Sequence, residues 1–125
     1  MIRSEPPRDK ENGPGINLRK LYHLGCWKDH DAPNRALPDL FHNHRSQIVW
    51  SKWPDMTYVI QACAQHAKDK GYTVFGVQFY GECWGDKVDP YWNYKKYGPA
   101  KNCVNGVGEH WSNNVYSFKL RRLAT

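Results

Sequence analysis

The side chains with the most chemistry to offer lie in one stretch of the chain. Tyr80, Trp84, Tyr91, Trp92, Tyr94 and Tyr97 are interleaved with Glu82, Asp86, Asp89 and Asn93. Sugars bind by laying their C–H faces on aromatic rings while carboxylates and amides take paired hydroxyls, and this composition supplies both halves. The sequence leaves open, ring by ring, whether each aromatic faces a ligand or folds inward over a small core. Other constellations are weaker. Glycoside hydrolysis needs two carboxylates facing each other across a site. Nothing fixes Glu82, Asp86 and Asp89 in that relation, and they read as exposed loop acids. His42-Asn43-His44 is an H-x-H, with Asp29-His30-Asp31 and Glu109-His110 elsewhere. A metal site would call for a second spaced histidine pair, so these histidines read as surface loop residues, and neither metal nor cofactor is expected. No serine nucleophile elbow or phosphate loop is present. The expectation is a chain without catalytic machinery.

The cysteines carry a different chemistry. Cys26, Cys63, Cys83 and Cys103 stand about twenty or more residues apart, with no C-x-x-C pair. An even count in a short chain without closely spaced ligands points to two disulfides rather than zinc, and with them to an oxidising compartment. No apolar run is long enough to span a membrane, and no signal-peptide pattern is seen. The expectation is therefore a piece of a longer secreted or membrane-anchored precursor, extracellular or at the cell surface. Eighteen Lys and Arg against twelve Asp and Glu leave a net charge of +6, which favours acidic partners. The basic residues are scattered, at Arg19-Lys20, Lys68, Lys70, Lys95-Lys96, Lys119 and Arg121-Arg122. No element carries a dense basic stripe, so nucleic acid and direct membrane insertion are not expected.

These residues need elements to position them, and 125 residues suit one domain. Residues 1–17 combine charge with Pro and Gly and no apolar period, the pattern of a disordered tail or linker. A single domain is expected over residues 18–120, with a frayed basic end at 121–125. Met56, Val59, Ile60, Cys63, Ala64 and Ala67 recur at the spacing of one helical face. Asp55 after Pro54 offers an N-cap, and Gly71 a left-handed stop. Thr73, Phe75, Val77 and Phe79 then alternate with Val74, Gly76, Gln78 and Tyr80 as a strand, which should lie against the helix. Tyr22 to Trp27 is expected as a first strand and Val115 to Leu120 as a last one. Ile48 to Trp53 reads as a short strand or a strand-like approach to the helix, and Gly81 to Gly108 as a long ordered loop. The fold class is α+β: one helix on a small, mostly antiparallel sheet.

One ordered set of motifs carries a family likeness. Gly25-Cys26-Trp27-Lys28-Asp29 is followed by Asn34-Arg35-Ala36-Leu37-Pro38, the Cys63 helix, Gly71-Tyr72, Phe75-Gly76-Val77-Gln78 and Gly81-Glu82-Cys83-Trp84. This order resembles the WSC domain, an extracellular module, over Leu24 to about Gly85; the likeness to PAN/apple domains is looser. The family's helix commonly carries two cysteines one turn apart and its strand end two cysteines flanking an aromatic. Here Ala67 and the stretch after Trp84 lack the second of each. The resemblance thus implies that one whole disulfide has been lost, that Cys63 pairs with Cys83, and that Cys26 is left with Cys103. Closing loops of 20 and 77 residues would contribute about 3 and about 4–5 kcal/mol, a large part of a typical ~5–15 kcal/mol stability.

WSC-like domains are associated with carbohydrate binding in some proteins and protein contacts in others. The resulting expectation is a non-catalytic glycan-binding module. Its ligand-binding residues are expected among Tyr80, Glu82, Asp86, Asp89, Tyr91, Trp92, Asn93 and Tyr94. Trp84, next to a disulfide cysteine, is expected to be structural, and Trp92 to be the stacking platform. The alternative is a protein-interaction or adhesion domain that meets an acidic or sulfated partner through its basic surface.

Overall fold

The computed structural model describes Asn17 and residues 20–120. The expected tail at residues 1–17, Asn17 apart, and the expected frayed end at 121–125 lie outside the described residues. The helix, α1, spans Thr57–Lys70 and buries Val59, Ile60, Cys63, Ala64 and Ala67, the face that the spacing predicts. It begins one residue later than expected. Met56 takes the N-cap backbone position, and Asp55 acts from just upstream, its carboxylate accepting from the Thr57 amide at 3.0 Å and hydroxyl at 2.7 Å. At the other end Gly71 adopts φ 83°. Its amide donates to Lys68 O, and the Tyr72 amide reaches back to Ala67 O. A residue with a Cβ would resist that left-handed closure.

Five strands form one antiparallel sheet: β1 Tyr22–Lys28, β2 Asp39–Asn43, β3 Val74–Gln78, β4 Glu82–Gly85 and β7 Ser112–Ser117. Their order is β1-β7-β3-β4-β2, which leaves β3 central. Between β4 and β7 lie a single helical turn, α2 Pro90–Asn93, and a small hairpin of β5 Cys103–Val104 and β6 Val107–Gly108. The α+β expectation holds. All five residues of β3 are buried, because both faces of the sheet are covered. On one face Phe75, Val77 and Cys83 pack with Met56, Val59, Ile60 and Cys63 of the helix side. On the other, Leu37, Val74, Trp84 and Val115 form a second cluster capped by Trp27, Tyr91 and Tyr94.

Several boundaries differ from expectation for local reasons. β3 stops at Gln78 because Phe79 and Tyr80 turn left-handed, at φ 51° and 69°, to reverse the chain into β4. The last strand starts at Ser112 rather than Val115 and ends at Ser117; Ser112, Asn113 and Asn114 are polar but buried in the sheet. Ile48 to Trp53 is no strand: Trp50–Lys52 is a 3-10 turn that follows another at Arg45–Gln47. The expected loop from Gly81 to Gly108 contains β4, α2 and the β5–β6 hairpin. That hairpin turns on Asn105-Gly106, φ 52° and 85°, the pair that suits the natural twist of two-residue hairpins.

The two disulfides are those that the resemblance implied. Cys63–Cys83 fastens α1 to β4 across the buried cluster with Cα atoms 5.4 Å apart. Cys26–Cys103 fastens β1 to the small hairpin at 5.9 Å, and no cysteine is left free. Among the described residues no helix is long and apolar enough to cross a membrane.

Candidate functional site

The structure divides the expected ligand-binding residues between two places. Asp86 is buried, and its carboxylate accepts from the amides of Val88 and Asp89 and from the Asn93 side chain, the last at 2.6 Å. This corrects its reading as an exposed loop acid: a chain reversing over a core turns its amides inward, and they need an acceptor there. Tyr91 donates to Lys119 O at 2.7 Å, Tyr94 meets Trp27 edge-on at 5.5 Å, and Tyr97 donates to Asn34 O. Tyr91 and Tyr94 pack against the second cluster, and Tyr97 bonds the segment after α2 to the loop before Leu37. Asp89 and Trp92 face outward. Trp92 is 57% exposed, and the Lys95 ammonium lies 5.6 Å from its ring. Trp84, expected to be structural, is 7% exposed within the second cluster. Tyr80 and Glu82 sit elsewhere, on the β3–β4 turn, and Tyr80 packs against the helix-side cluster.

Around that turn the structure gathers residues that the sequence reading did not select. Asp29 is the hub. Its side chain is fully buried and accepts from the amides of His30 and Ala36, from Arg35 Nη1 at 2.9 Å and from Gln78 Nε2 at 2.8 Å. One carboxylate thus ties together three of the motifs that carried the family likeness. Its partner Arg35 lies with its guanidinium 4.0 Å over the Trp84 ring and 5.4 Å from the Trp111 ring. Arg35, Gln78, Phe79, Glu82, His110 and Trp111 then line a cleft of roughly 170 Å³.

The cleft opens onto a continuous row of rings. Trp50 and Trp53 lie 5.9 and 6.2 Å from Tyr80; Tyr80 lies 6.3 Å from Phe79; His110 follows at 5.2 Å and Trp111 at 5.5 Å. Trp50, Trp53 and Trp111 are 55%, 40% and 40% exposed. Three of the row's residues, Phe79, Tyr80 and Trp111, hold left-handed backbone, which costs about 1–2 kcal/mol for each L residue. Asn-Gly would relieve a reversal of this kind, yet two aromatics occupy it. Cross-links hold them there: the Phe79 and Tyr80 amides donate to Glu109 O and Gly108 O, and the Asp29 amide donates to Trp111 O. Strain maintained by surrounding structure is characteristic of functional sites. The Tyr80 hydroxyl donates to Glu109 at 3.3 Å, and burial, and then the neighbouring Glu109 carboxylate, raises its pKa.

The histidines also depart from expectation. His42 and His44 are partly buried rather than loose on the surface. They share a hydrogen bond at 3.0 Å, and His66 of α1 stacks on His42 at 3.7 Å. Burial, then the neighbouring His66, His44 and Lys70, lowers the His42 pKa to about 4. Among the described residues no group of three or more His, Cys, Asp or Glu is arranged to hold a metal ion. No protein-family model matches the chain, and no curated protein matches it either.

Proposed function

We propose that this chain is a non-catalytic, extracellular carbohydrate-binding domain whose site is the ring row at the β3–β4 end of the sheet. One observation carries the reading: Trp50, Trp53 and Trp111 stand exposed along a row that is joined ring to ring and held on strained backbone. Exposed indole faces accept sugar rings, and Glu82 and Glu109 offer hydroxyl partners beside them. The disulfides support an oxidising compartment, and the likeness to WSC domains supports both the setting and the ligand class. Tyr80 and Glu82 remain in the site; Asp86, Tyr91, Asn93 and Tyr94 are taken up by structure. A glycan array run on the oxidised domain tests this. Trp50→Ala, Trp53→Ala and Trp111→Ala should each weaken the best saccharide about 5- to 150-fold, from ~1–3 kcal/mol per stacking ring by analogy with base stacking. The melting temperature should hold. An array with no retained glycan, or three variants that bind like wild type, overturns the reading.

The second reading, contact with an acidic protein, rests on exposed Trp92 with Lys95 against its ring. It predicts binding that collapses with salt and depends on Trp92 but not on Trp50.

A further inference from the structure

The ring row has a neighbour whose chemistry is different. Beside Trp50 the surface falls into an open depression of roughly 580 Å³ lined by Asn43, Arg45, Ser46, Ile48 and Trp50, within the size range of small-molecule sites. We infer that this depression reads an anionic group, so that the saccharides preferred by the domain carry a carboxylate or sulfate. The inference rests on the carbohydrate-binding reading and names the class of sugar.

A comparison of two arginines carries it. Arg35 and Arg45 both lay the guanidinium on an aromatic face, at 4.0 Å over Trp84 and 3.8 Å over Phe79. Arg35 is neutralised by Asp29 at 2.9 Å and is mostly covered. Arg45 is exposed, and among the described residues no carboxylate pairs with it. Stacking on Phe79 fixes the plane of the fork while its N–H edge stays free. That arrangement suits two-point recognition of a carboxylate or sulfate, at little ordering cost on binding.

The backbone around Arg45 is fixed as well. The Asn43 side-chain oxygen accepts from the Arg45 amide at 3.0 Å, which leaves the Asn43 NH₂ as a further donor. The His44 amide donates to Gly81 O at 2.8 Å, so the 3-10 turn is bonded to the reversal that displays Phe79 and Tyr80. The turn that carries Arg45 is therefore tied directly to the reversal at the centre of the ring row. Ser46 supplies a hydroxyl to the depression, and Trp50 supplies an exposed indole wall shared with the row. A sugar stacked on Trp50 would present its exocyclic group to the Arg45 guanidinium, with which no carboxylate among the described residues pairs.

The test uses calorimetric titration of the oxidised domain with three hexasaccharides. One alternates glucuronate with N-acetylglucosamine, the second is the same chain with its carboxylates reduced to alcohols, and the third is a sulfated neutral galactan. The glucuronate or the sulfated chain should bind at least about tenfold tighter than the reduced one, a ratio equivalent to about 1.4 kcal/mol, and the preferred chain identifies which anion is read. Arg45→Met should bring the anionic chains down to the affinity of the reduced chain without changing the melting temperature, and Arg45→Lys should restore part of the preference. Affinity for both anionic chains no higher than for the reduced chain, a preference that survives Arg45→Met, or an oligoglutamate peptide that binds as tightly as the preferred anionic chain would each overturn the inference. In the first two cases carbohydrate binding itself still stands. Failure of all three chains together with an empty glycan array removes the underlying reading as well.

Discussion

Replacing Asp29 with alanine should do more damage than any other single change outside the disulfides and the two buried hydrophobic clusters. The carboxylate is fully buried and accepts four hydrogen bonds, two from backbone amides, one from Gln78 and one from the Arg35 guanidinium. Removing it strands all four donors. Each neutral donor left without its acceptor costs about 1 kcal/mol, and the charged one about 1.5–3 kcal/mol. Breaking a buried ion pair from one side costs about 3–5 kcal/mol. These figures describe overlapping losses, and Arg35 keeps some contact with water at 17% side-chain exposure, so about 4 kcal/mol is expected. At about 4–8 °C per kcal/mol for a domain of this size, the melting temperature should fall by about 15–30 °C. Thermal and urea unfolding of the oxidised protein, followed by circular dichroism, measure it. Arg35→Met in the Asp29→Ala background should recover part of the loss, because the stranded cation is gone. A cost below about 1 kcal/mol, or a strictly additive double mutant, would refute the role given to Asp29.

Four further outcomes follow from the same structure. Chelator should leave the melting temperature unchanged while reductant lowers it sharply, since the crosslinks of 20 and 77 residues are worth about 3 and about 4.5 kcal/mol; a large drop with chelator alone contradicts this. Stability should decline as pH falls below 6.5 towards 4, where the unfolded chain takes up protons that folded His42 and His44 resist. Allowing for the part exposure of these rings, the loss should be about 1–2 kcal/mol by pH 5, with none from these groups above pH 7. Urea titrations at both pH values should show it, and His42→Gln should flatten it. Trp84→Ala should cost about 3–5 kcal/mol because its ring is buried against Leu37, Val74 and Val115. Trp92→Ala should leave both stability and saccharide affinity near wild type; weakened saccharide binding would return the site to the α2 turn.

What the sequence made legible was what rests on pattern. The helix face announced itself by spacing, and the disulfide pairing followed from two missing cysteines in a family-like order. The edge strand β2 was hidden because His42-Asn43-His44 read as a surface loop, and its pairing with β4 is a property of the assembled sheet. Ser112, Asn113 and Asn114 were passed over because burial of polar groups becomes acceptable only once neighbouring strands and side chains satisfy most of them. Phe79 and Tyr80 looked like a continuing strand, since alternation carries no sign of a left-handed turn. The candidate site was half legible for the same reason. Composition drew attention to the aromatic loop. The row itself unites Trp50, Trp53, Phe79, Tyr80, His110 and Trp111 from three separate segments, and no local window contains that juxtaposition. Asp29, Arg35 and Gln78 did stand in the family-like motifs, where their meeting is a consequence of topology.

The most direct test of the account uses the six tryptophans as reporters. Each contributes one indole N–H resonance to a nitrogen–proton correlation spectrum of the oxidised domain, assigned by single Trp→Phe variants. On titration with the saccharide that binds best on the array, the Trp50, Trp53 and Trp111 signals should move in a saturable, concentration-dependent way. Those of Trp27 and Trp92 should stay in place, whereas Trp84, whose indole N–H donates to Glu82 at 3.2 Å, reports contact with that carboxylate. Movement of Trp92 with Trp50, Trp53 and Trp111 unmoved would contradict the account and place the site on the opposite cluster.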